Sequence, residues 1–182
     1  MENRGHFLMA ISLILLATIA RLMPHAWNFT PLTAILLFSA YAFKGAWKLI
    51  IPFSAIIVSD FVLEIQTGYG FHSGSWVIYL SYALILLIGH LNLSKISFGR
   101  VISSSLLASI LFYLITNFAF FYPEVTEAGQ MQGYTHNWAG IIGSYTAGIP
   151  FFRNMLLGDL LFTGAIFTVY QVVSQRFLKP QF

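Results

Sequence analysis

Six separate apolar runs constrain what this chain can fold into more than any other feature. Each is near the roughly 17–25 residues with which a helix crosses a bilayer. Only 8% of the 182 residues are charged, whereas a soluble domain carries roughly 25%. The sequence therefore predicts an all-α integral membrane protein, a single domain over residues 1–182 formed by a bundle of six transmembrane helices. The runs lie at Phe7–Leu22, Phe29–Phe43, Leu49–Ile65, Trp76–Leu91, Val101–Phe121 and Met155–Val173.

The basic residues predict the orientation of these helices. With alternating spans, seven of the nine fall on one side, namely Arg4, Lys44, Lys48, Lys95, Arg100, Arg176 and Lys179. The other side receives Arg21 and Arg153, with the acidic residues Glu64, Glu124 and Glu127. Lysine and arginine concentrate in cytoplasmic loops, so we expect both termini inside. A seventh span would place the C-terminus outside and spoil this pattern.

Aromatic and amide side chains concentrate in the predicted outer connections and nearby helix ends. An interfacial aromatic belt explains some of them. It does not explain their excess on the outer side, which favours a solute-binding surface there. The candidate substrate-binding residues are Trp27, Asn28, Tyr69, His72, Trp76, Asn117, Tyr122, Trp138, Tyr145, Arg153 and Asn154.

The longest outer connection runs from Tyr122 to Phe152. Its second half, HNWAGIIGSYTAGIPFF, is apolar, rich in glycine and interrupted by Pro150. Such a segment is typical of an interfacial helix or of a lid over a binding site. We expect one of these between the fifth and sixth spans.

Four charged residues within or at the ends of spans require partners, because a charge at a helix centre costs about 2.5–3.5 kcal/mol. They are Arg21, Asp60, Glu64 and Asp159, which we interpret as structural or coupling charges. Asp60 and Glu64 are four residues apart and share a helix face. Arg21 lies at a comparable depth in the first helix, so we expect an Arg21–Asp60 ion pair.

Arg153 and Asp159 are six residues apart in PFFRNMLLGDLLFTGAIF, which separates them by about 9 Å and about 240° on a helix. They cannot pair with each other. We interpret Arg153, with Asn154, as the mouth of an outward-facing site that favours an anionic group. Asp159 follows Gly158, which lets a neighbouring helix approach, and we expect it mainly to hold the bundle together. Arg153→Ala should then abolish ligand binding, and Asp159→Asn should mainly lower stability.

Motifs for catalysis and cofactor binding are missing from the sequence. There is no cysteine, no H-E-x-x-H, no G-x-S-x-G, no Walker A loop and no dinucleotide-binding turn. The outer histidines His25, His72 and His136 match no metal-binding spacing. We therefore expect no enzyme activity, no cofactor, no metal and no nucleic-acid partner.

Several stretches resemble known families. The segments RLMPHAWNFTPLTAILLFSAYAF, IIVSDFVLE, LITNF and IPFFRNMLLGDLLF are similar to an uncharacterised family of bacterial membrane proteins over nearly the whole chain. The architecture and the late GD-containing helix resemble the substrate-capture (S) components of energy-coupling-factor vitamin transporters. This resemblance implies the bacterial inner membrane, a vitamin-like solute and a transmembrane coupling partner with ATPases. The A-x-x-x-A on the first helix is missing, since Ala17 and Ala20 are three apart.

We expect a membrane uptake protein that captures a small organic solute, aromatic and possibly anionic, from the outer side. Two other classes stay open. One is an ion-coupled secondary transporter that uses Asp60, Glu64 or Asp159 as a protonatable switch. The other is a membrane-embedded enzyme with an aspartate and a histidine as acid and base.

Overall fold

The computed structural model describes residues 2–124 and 133–177, and it describes side chains for residues 8–124 and 133–174. The described residues form helices and no named strand, which confirms the all-α fold class. A short 3-10 turn at Ala119–Phe121 follows the fifth helix. The α-helices are α1 (Glu2–Leu22), α2 (Leu32–Ala42), α3 (Trp47–Thr67), α4 (Ser75–Asn92), α5 (Phe98–Thr116) and α6 (Trp138–Phe177).

Four of these helices are long and apolar enough to cross a membrane: α3, α4, α5 and most of α6. This is what an integral membrane protein requires. The described apolar part of α1, Leu8–Leu22, is shorter, and so is α2. The expected helices thus occur in the expected order.

Helix α2 is short and lies at the centre of the bundle. It has 11 residues, about 16 Å at 1.5 Å per residue. Leu32 to Ala40 are all buried, so the helix presents no face to lipid. A helix that is apolar on every side lies either in a protein core or in a membrane, and α2 is of the first kind. Helix α2 packs against α3, α4, α5 and α6, and its first turn faces a space that longer helices enclose.

Helix α6 differs most from the sequence expectation. The predicted interfacial helix or lid is not a separate element, because residues 138–152 form one continuous helix with the last apolar run. The helix continues through Pro150. A proline inside a helix removes one backbone hydrogen bond, and neighbouring helices make this tolerable in membrane proteins. Arg153 and Asn154 therefore lie within α6 and not at its start.

The two ends of the bundle differ. The loops α1–α2 and α3–α4 and the α5–α6 connection meet at one end, which we call the cavity end. The loops α2–α3 and α4–α5 meet at the other, which carries Lys44, Lys48, Lys95 and Arg100 and which we call the basic end. Of the other basic residues, Lys179 lies outside the described part of the chain, as does the acidic residue Glu127.

Aromatic rings fill the bundle between α2 and α6 towards the basic end. The ring of Phe38 is 5.4 Å from that of Phe167 and 5.2 Å from that of Tyr170. Tyr41 also contacts both rings of α6, at 6.0 and 5.8 Å. Three of these pairs are edge-to-face and the Tyr41–Phe167 pair is tilted, and aromatic pairs of this kind stabilise buried interfaces. They close the bundle on the side of α2 away from the cavity end.

Candidate solute-binding cavity

A cavity of about 720 Å³ opens at the cavity end, between the ends of α1 and α3, the start of α4 and the side of α6. Its depth is limited by the first turn of α2, where Leu32 and Thr33 line it. Small-molecule sites in proteins are typically clefts of about 300–1,000 Å³. The space is therefore large enough for an organic molecule of vitamin size.

The α1–α2 and α3–α4 loops form the mouth of the cavity. Trp27 and Tyr69 line it and are 77% and 81% exposed. His25 and His72 also line it, and both are exposed. Asn28 adopts a left-handed backbone with φ of 62°, a conformation that asparagine tolerates better than most residues. Two rings and several polar groups thus face the entrance.

Glu64 shapes the α3–α4 side of the mouth. Its carboxylate accepts hydrogen bonds from the backbone N–H groups of Gly70 and Phe71, at 2.9 and 3.0 Å. A Cβ atom at Gly70 would lie 2.0 Å from the carbonyl oxygen of Asp60. The loop therefore folds tightly over the end of α3 and needs glycine there. The Glu64 carboxylate thus joins the end of α3 to the loop that follows it.

The α1–α3 side of the cavity floor carries the predicted Arg21–Asp60 ion pair, which the structure confirms. The guanidinium of Arg21 also donates to the hydroxyl of Ser59 at 2.6 Å. The second carboxylate oxygen of Asp60 accepts a hydrogen bond from the Tyr79 hydroxyl at 2.6 Å. Asp60 is 5% exposed. Both of its oxygens are bonded, and its charge is balanced.

The α5–α6 side of the floor carries Asp159, which is 1% exposed. Its carboxyl group lies 2.7 Å from the hydroxyl of Ser109 on α5. The hydroxyl of Thr33 on α2 also interacts with it. The described residues supply no ion pair to Asp159. In the described part of the chain, this side of the floor is therefore polar and has no cation.

Apolar and aromatic side chains complete the wall between these two carboxyl groups. The rings of Tyr82 and Phe112 are stacked at 5.5 Å, and both are buried. Met155 and Ile78 line the same space. An apolar wall with a few convergent polar groups is the usual composition of a ligand site.

Comparison with known families decides one question of identity. A family model described as a family of unknown function, DUF6580, matches residues 1–181. The chain belongs to this family. No curated protein and no solved structure matches the chain. The DUF6580 match agrees with the expected membership of an uncharacterised family, and it names no activity. The likeness to S components of energy-coupling-factor transporters stays a prediction.

The structure of this DUF6580 chain brings only some of the predicted binding residues together. Trp27, Asn28, Tyr69 and His72 line the cavity. The charged residues Arg21, Asp60 and Asp159, which were interpreted as structural or coupling charges, line it as well. The cavity therefore joins residues that the sequence analysis had placed in two separate classes.

Three other candidates make hydrogen bonds to the carbonyl groups at the end of α5. The hydroxyl of Tyr145 donates to the carbonyl of Leu114, at 2.6 Å. That of Tyr122 donates to the carbonyl of Thr116, also at 2.6 Å. The side chain of Asn117 donates to the carbonyl of Tyr113 at 2.9 Å. These side chains are not among those lining the cavity. Their bonds instead fix the end of α5. Those of Asn117 and Tyr122 come from residues that follow the helix, and that of Tyr145 comes from the first half of α6.

The remaining candidates lie outside the cavity lining. Trp76 packs edge-on against Phe121 at 5.4 Å, and Trp138 is 79% exposed at the start of α6. Arg153 is exposed and Asn154 is half-buried. Asp159 faces the interior, so Arg153, about 240° away on the same helix, faces outward. The structure does not bring Arg153 to the cavity.

Sequence reasoning missed Thr33, Tyr79, Tyr82 and Ser109 as site residues. Each is an ordinary residue of an apolar helix, and no motif marks it. The spacing of Tyr79 and Tyr82, three apart in α4, places both on one helix face. That signal becomes useful only when the facing helices are known.

Proposed function

We propose that this protein binds a small organic solute in the cavity and takes part in its uptake across the membrane. The observation that carries the proposal is the cavity itself, whose exposed aromatic mouth leads to a buried, charged floor. A lipid-facing structural subunit has no need for this arrangement. Trp27 and Tyr69 offer ring faces at the entrance, and the floor offers hydroxyl and carboxyl groups that orient a polar solute.

The charge distribution supports an outward-facing mouth. The cavity end lies opposite the basic end, where Lys44, Lys48, Lys95 and Arg100 are found. By the positive-inside rule the basic end is cytoplasmic, and the cavity then opens to the outside of the bacterial inner membrane. Capture from outside is the task of an S component, so a partner module with ATPases, or a different coupling protein, completes transport.

A matched pair of tryptophans allows a test of this proposal. Trp27 and Trp138 are 77% and 79% exposed, and only Trp27 lines the cavity. The protein is purified gently from its native membrane, and co-purifying small molecules are identified by mass spectrometry. Loss of one stacking contact of about 1 kcal/mol weakens binding about fivefold. After the same purification we expect Trp27→Ala to retain less solute than the unmodified protein and Trp138→Ala to retain as much.

Two results would contradict the proposal. One is the recovery of no small molecule from the unmodified protein. The other is an equal loss of the molecule in both tryptophan variants, which would indicate binding at the lipid-facing surface. An ATPase module that co-purifies with the protein would favour the S-component mechanism over an autonomous carrier.

One observation favours a second function, that of an ion-coupled carrier. Asp159 lies buried at the cavity floor without a cationic partner among the described residues. Isolated carboxyl groups in membrane proteins often bind the coupling ion. Solute uptake by the purified protein in vesicles, driven by a proton gradient alone, would establish this mechanism.

A further inference from the structure

Asp159 differs from the other charged groups at the cavity because no described residue balances its charge. Arg21, the cation at the floor, already binds Asp60 and Ser59. The histidines that line the mouth make local contacts: His25 lies 2.6 Å from the carbonyl of Met23, and His72 accepts from a backbone N–H. Counted over the described residues, the floor therefore carries one more carboxyl group than cation.

The contacts of Ser109 favour the protonated form of Asp159. The hydroxyl oxygen of Ser109 lies 2.7 Å from the carboxyl of Asp159 and 3.0 Å from the carbonyl of Ser105. A hydroxyl has one hydrogen and cannot donate to both acceptors. If Asp159 carries a proton, it donates to Ser109 and Ser109 donates to Ser105. Both contacts are then hydrogen bonds.

An ionised Asp159 would have weaker support. It would accept from the hydroxyls of Ser109 and Thr33, and a buried carboxylate with only neutral donors is far less stable than one paired with a cation. Asp159 nevertheless lines an open cavity. A cationic group that enters the cavity can therefore supply the missing charge.

The walls beside Asp159 also suit a cation. The stacked rings of Tyr82 and Phe112 line the same cavity. Aromatic faces attract ammonium groups, most strongly where water is excluded. The titratable groups around this space, Tyr79 and Tyr82 on α4 and the neutralised Arg21–Asp60 pair, contribute no net positive charge.

We propose that Asp159 holds a proton in the empty cavity and exchanges it for a positively charged nitrogen of the solute. The O–H bond of the acid breaks, the proton passes to solvent, and the carboxylate forms an ion pair with the solute. The net charge of the site is unchanged. The inference rests on the proposed solute binding and assigns the solute to the class of organic cations.

The proton on Asp159 can be detected without any solute. Infrared spectroscopy of the purified protein in lipid resolves the carbonyl stretch of a protonated carboxylic acid from the carboxylate bands. We expect an acid band at neutral pH that is lost in Asp159→Asn, moved in Asp159→Glu and kept in Glu64→Gln. Absence of the band, or its persistence in Asp159→Asn, would overturn the proposal. The glutamate variant answers the question if the asparagine variant does not fold.

The exchange is tested with methylammonium as the probe. At constant pH, methylammonium chloride should abolish the acid band of the unmodified protein and release protons, whereas equal sodium chloride should not. A band that survives methylammonium would overturn the exchange. An equal loss with sodium would assign the site to an inorganic cation and overturn the organic assignment. None of these results depends on a co-purifying solute, so they are distinguishable from a failure of the proposed function.

Discussion

The two sides of the cavity floor each bury an aspartate, and they treat its charge in opposite ways. Asp60 on the α1–α3 side has Arg21 and Tyr79 on its two oxygens. Among the residues that the structure describes, Asp159 on the α5–α6 side has only the hydroxyls of Ser109 and Thr33. Both residues are less than a tenth exposed. Burial alone therefore does not separate them, whereas their partners do.

This difference indicates which of the two carboxyl groups is available for function. A buried charge with a fixed partner is satisfied before any ligand arrives, and it joins α1 to α3. A buried carboxyl group without a cation remains free to bind a proton or a ligand. The sequence analysis had interpreted Arg153 as a binding residue and Asp159 mainly as a packing residue, with a protonatable switch as its role in the alternative hypothesis of an ion-coupled transporter. The structure places Asp159, and not Arg153, at the cavity.

Removal of Arg21 should have the largest effect. In Arg21→Ala, Asp60 keeps its buried charge and loses its cation, and breaking a buried pair in this way costs about 3–5 kcal/mol. We expect a loss of free energy of unfolding of that size in detergent, measured by denaturant titration. The matched control is Arg153→Ala. Because Arg153 is exposed and outside the cavity, its removal should change stability by about 0.5 kcal/mol or less.

The double variant Arg21→Met with Asp60→Leu tests whether the loss of stability in Arg21→Ala comes from the unpaired charge of Asp60. Replacement of both members of a buried pair by apolar residues is often neutral, to within a few kcal/mol. We expect it to recover most of the stability that Arg21→Ala loses. If Arg21→Ala costs no more than Arg153→Ala, the ion pair does not hold α1 against α3, and the contrast between the two sides of the floor fails.

A smaller effect should separate the two aspartates directly. Asp60→Asn leaves the Arg21 charge buried beside a neutral amide, so we expect a loss of about 3 kcal/mol. Asp159→Asn exchanges a neutral acid for an amide of the same shape, and we expect a change within about 1 kcal/mol. Thermal unfolding of the two variants side by side measures the difference. Equal losses would show that Asp159 is also an ionised, structurally paired group.

The sequence allowed much of the fold to be predicted. Apolar runs of membrane-spanning length indicated the helices, and the depth of Arg21 and Asp60 in their helices indicated the ion pair. The first of these signals can be read from one helix alone, and the second needs only the depth of each residue in its own helix. Helix α2 was harder, because its short length was visible and its burial on every side was not. Burial depends on which helices surround it, and that is decided by the packing of the whole bundle.

The candidate site was predicted less well, for a related reason. Trp27, Asn28, Tyr69 and His72 belong to short loops that necessarily meet at one end, and the cavity includes them. Tyr145 has the same residue type as Tyr69, yet it bonds α5. The rotation of each helix about its own axis decides which side chains face inward. Charge and hydropathy in a helix that is apolar nearly all round do not reveal that rotation.

The smallest effect concerns Thr163, one turn of α6 beyond Asp159 towards the basic end. Its hydroxyl is buried and has no hydrogen-bond partner in the described part of the chain. Thr163→Val keeps the shape and removes an unsatisfied polar group, so we expect a gain of up to about 1 kcal/mol in the free energy of unfolding. Ser109→Ala is the matched control: it removes a hydroxyl that Asp159 uses and should lower stability by about 1 kcal/mol. If Thr163→Val instead destabilises the protein as much as Ser109→Ala, its hydroxyl has a partner such as water. The polar region of the α5–α6 side would then extend beyond the cavity floor towards the basic end. The difference from the α1–α3 side, where Asp60 is paired at the floor, would be larger still.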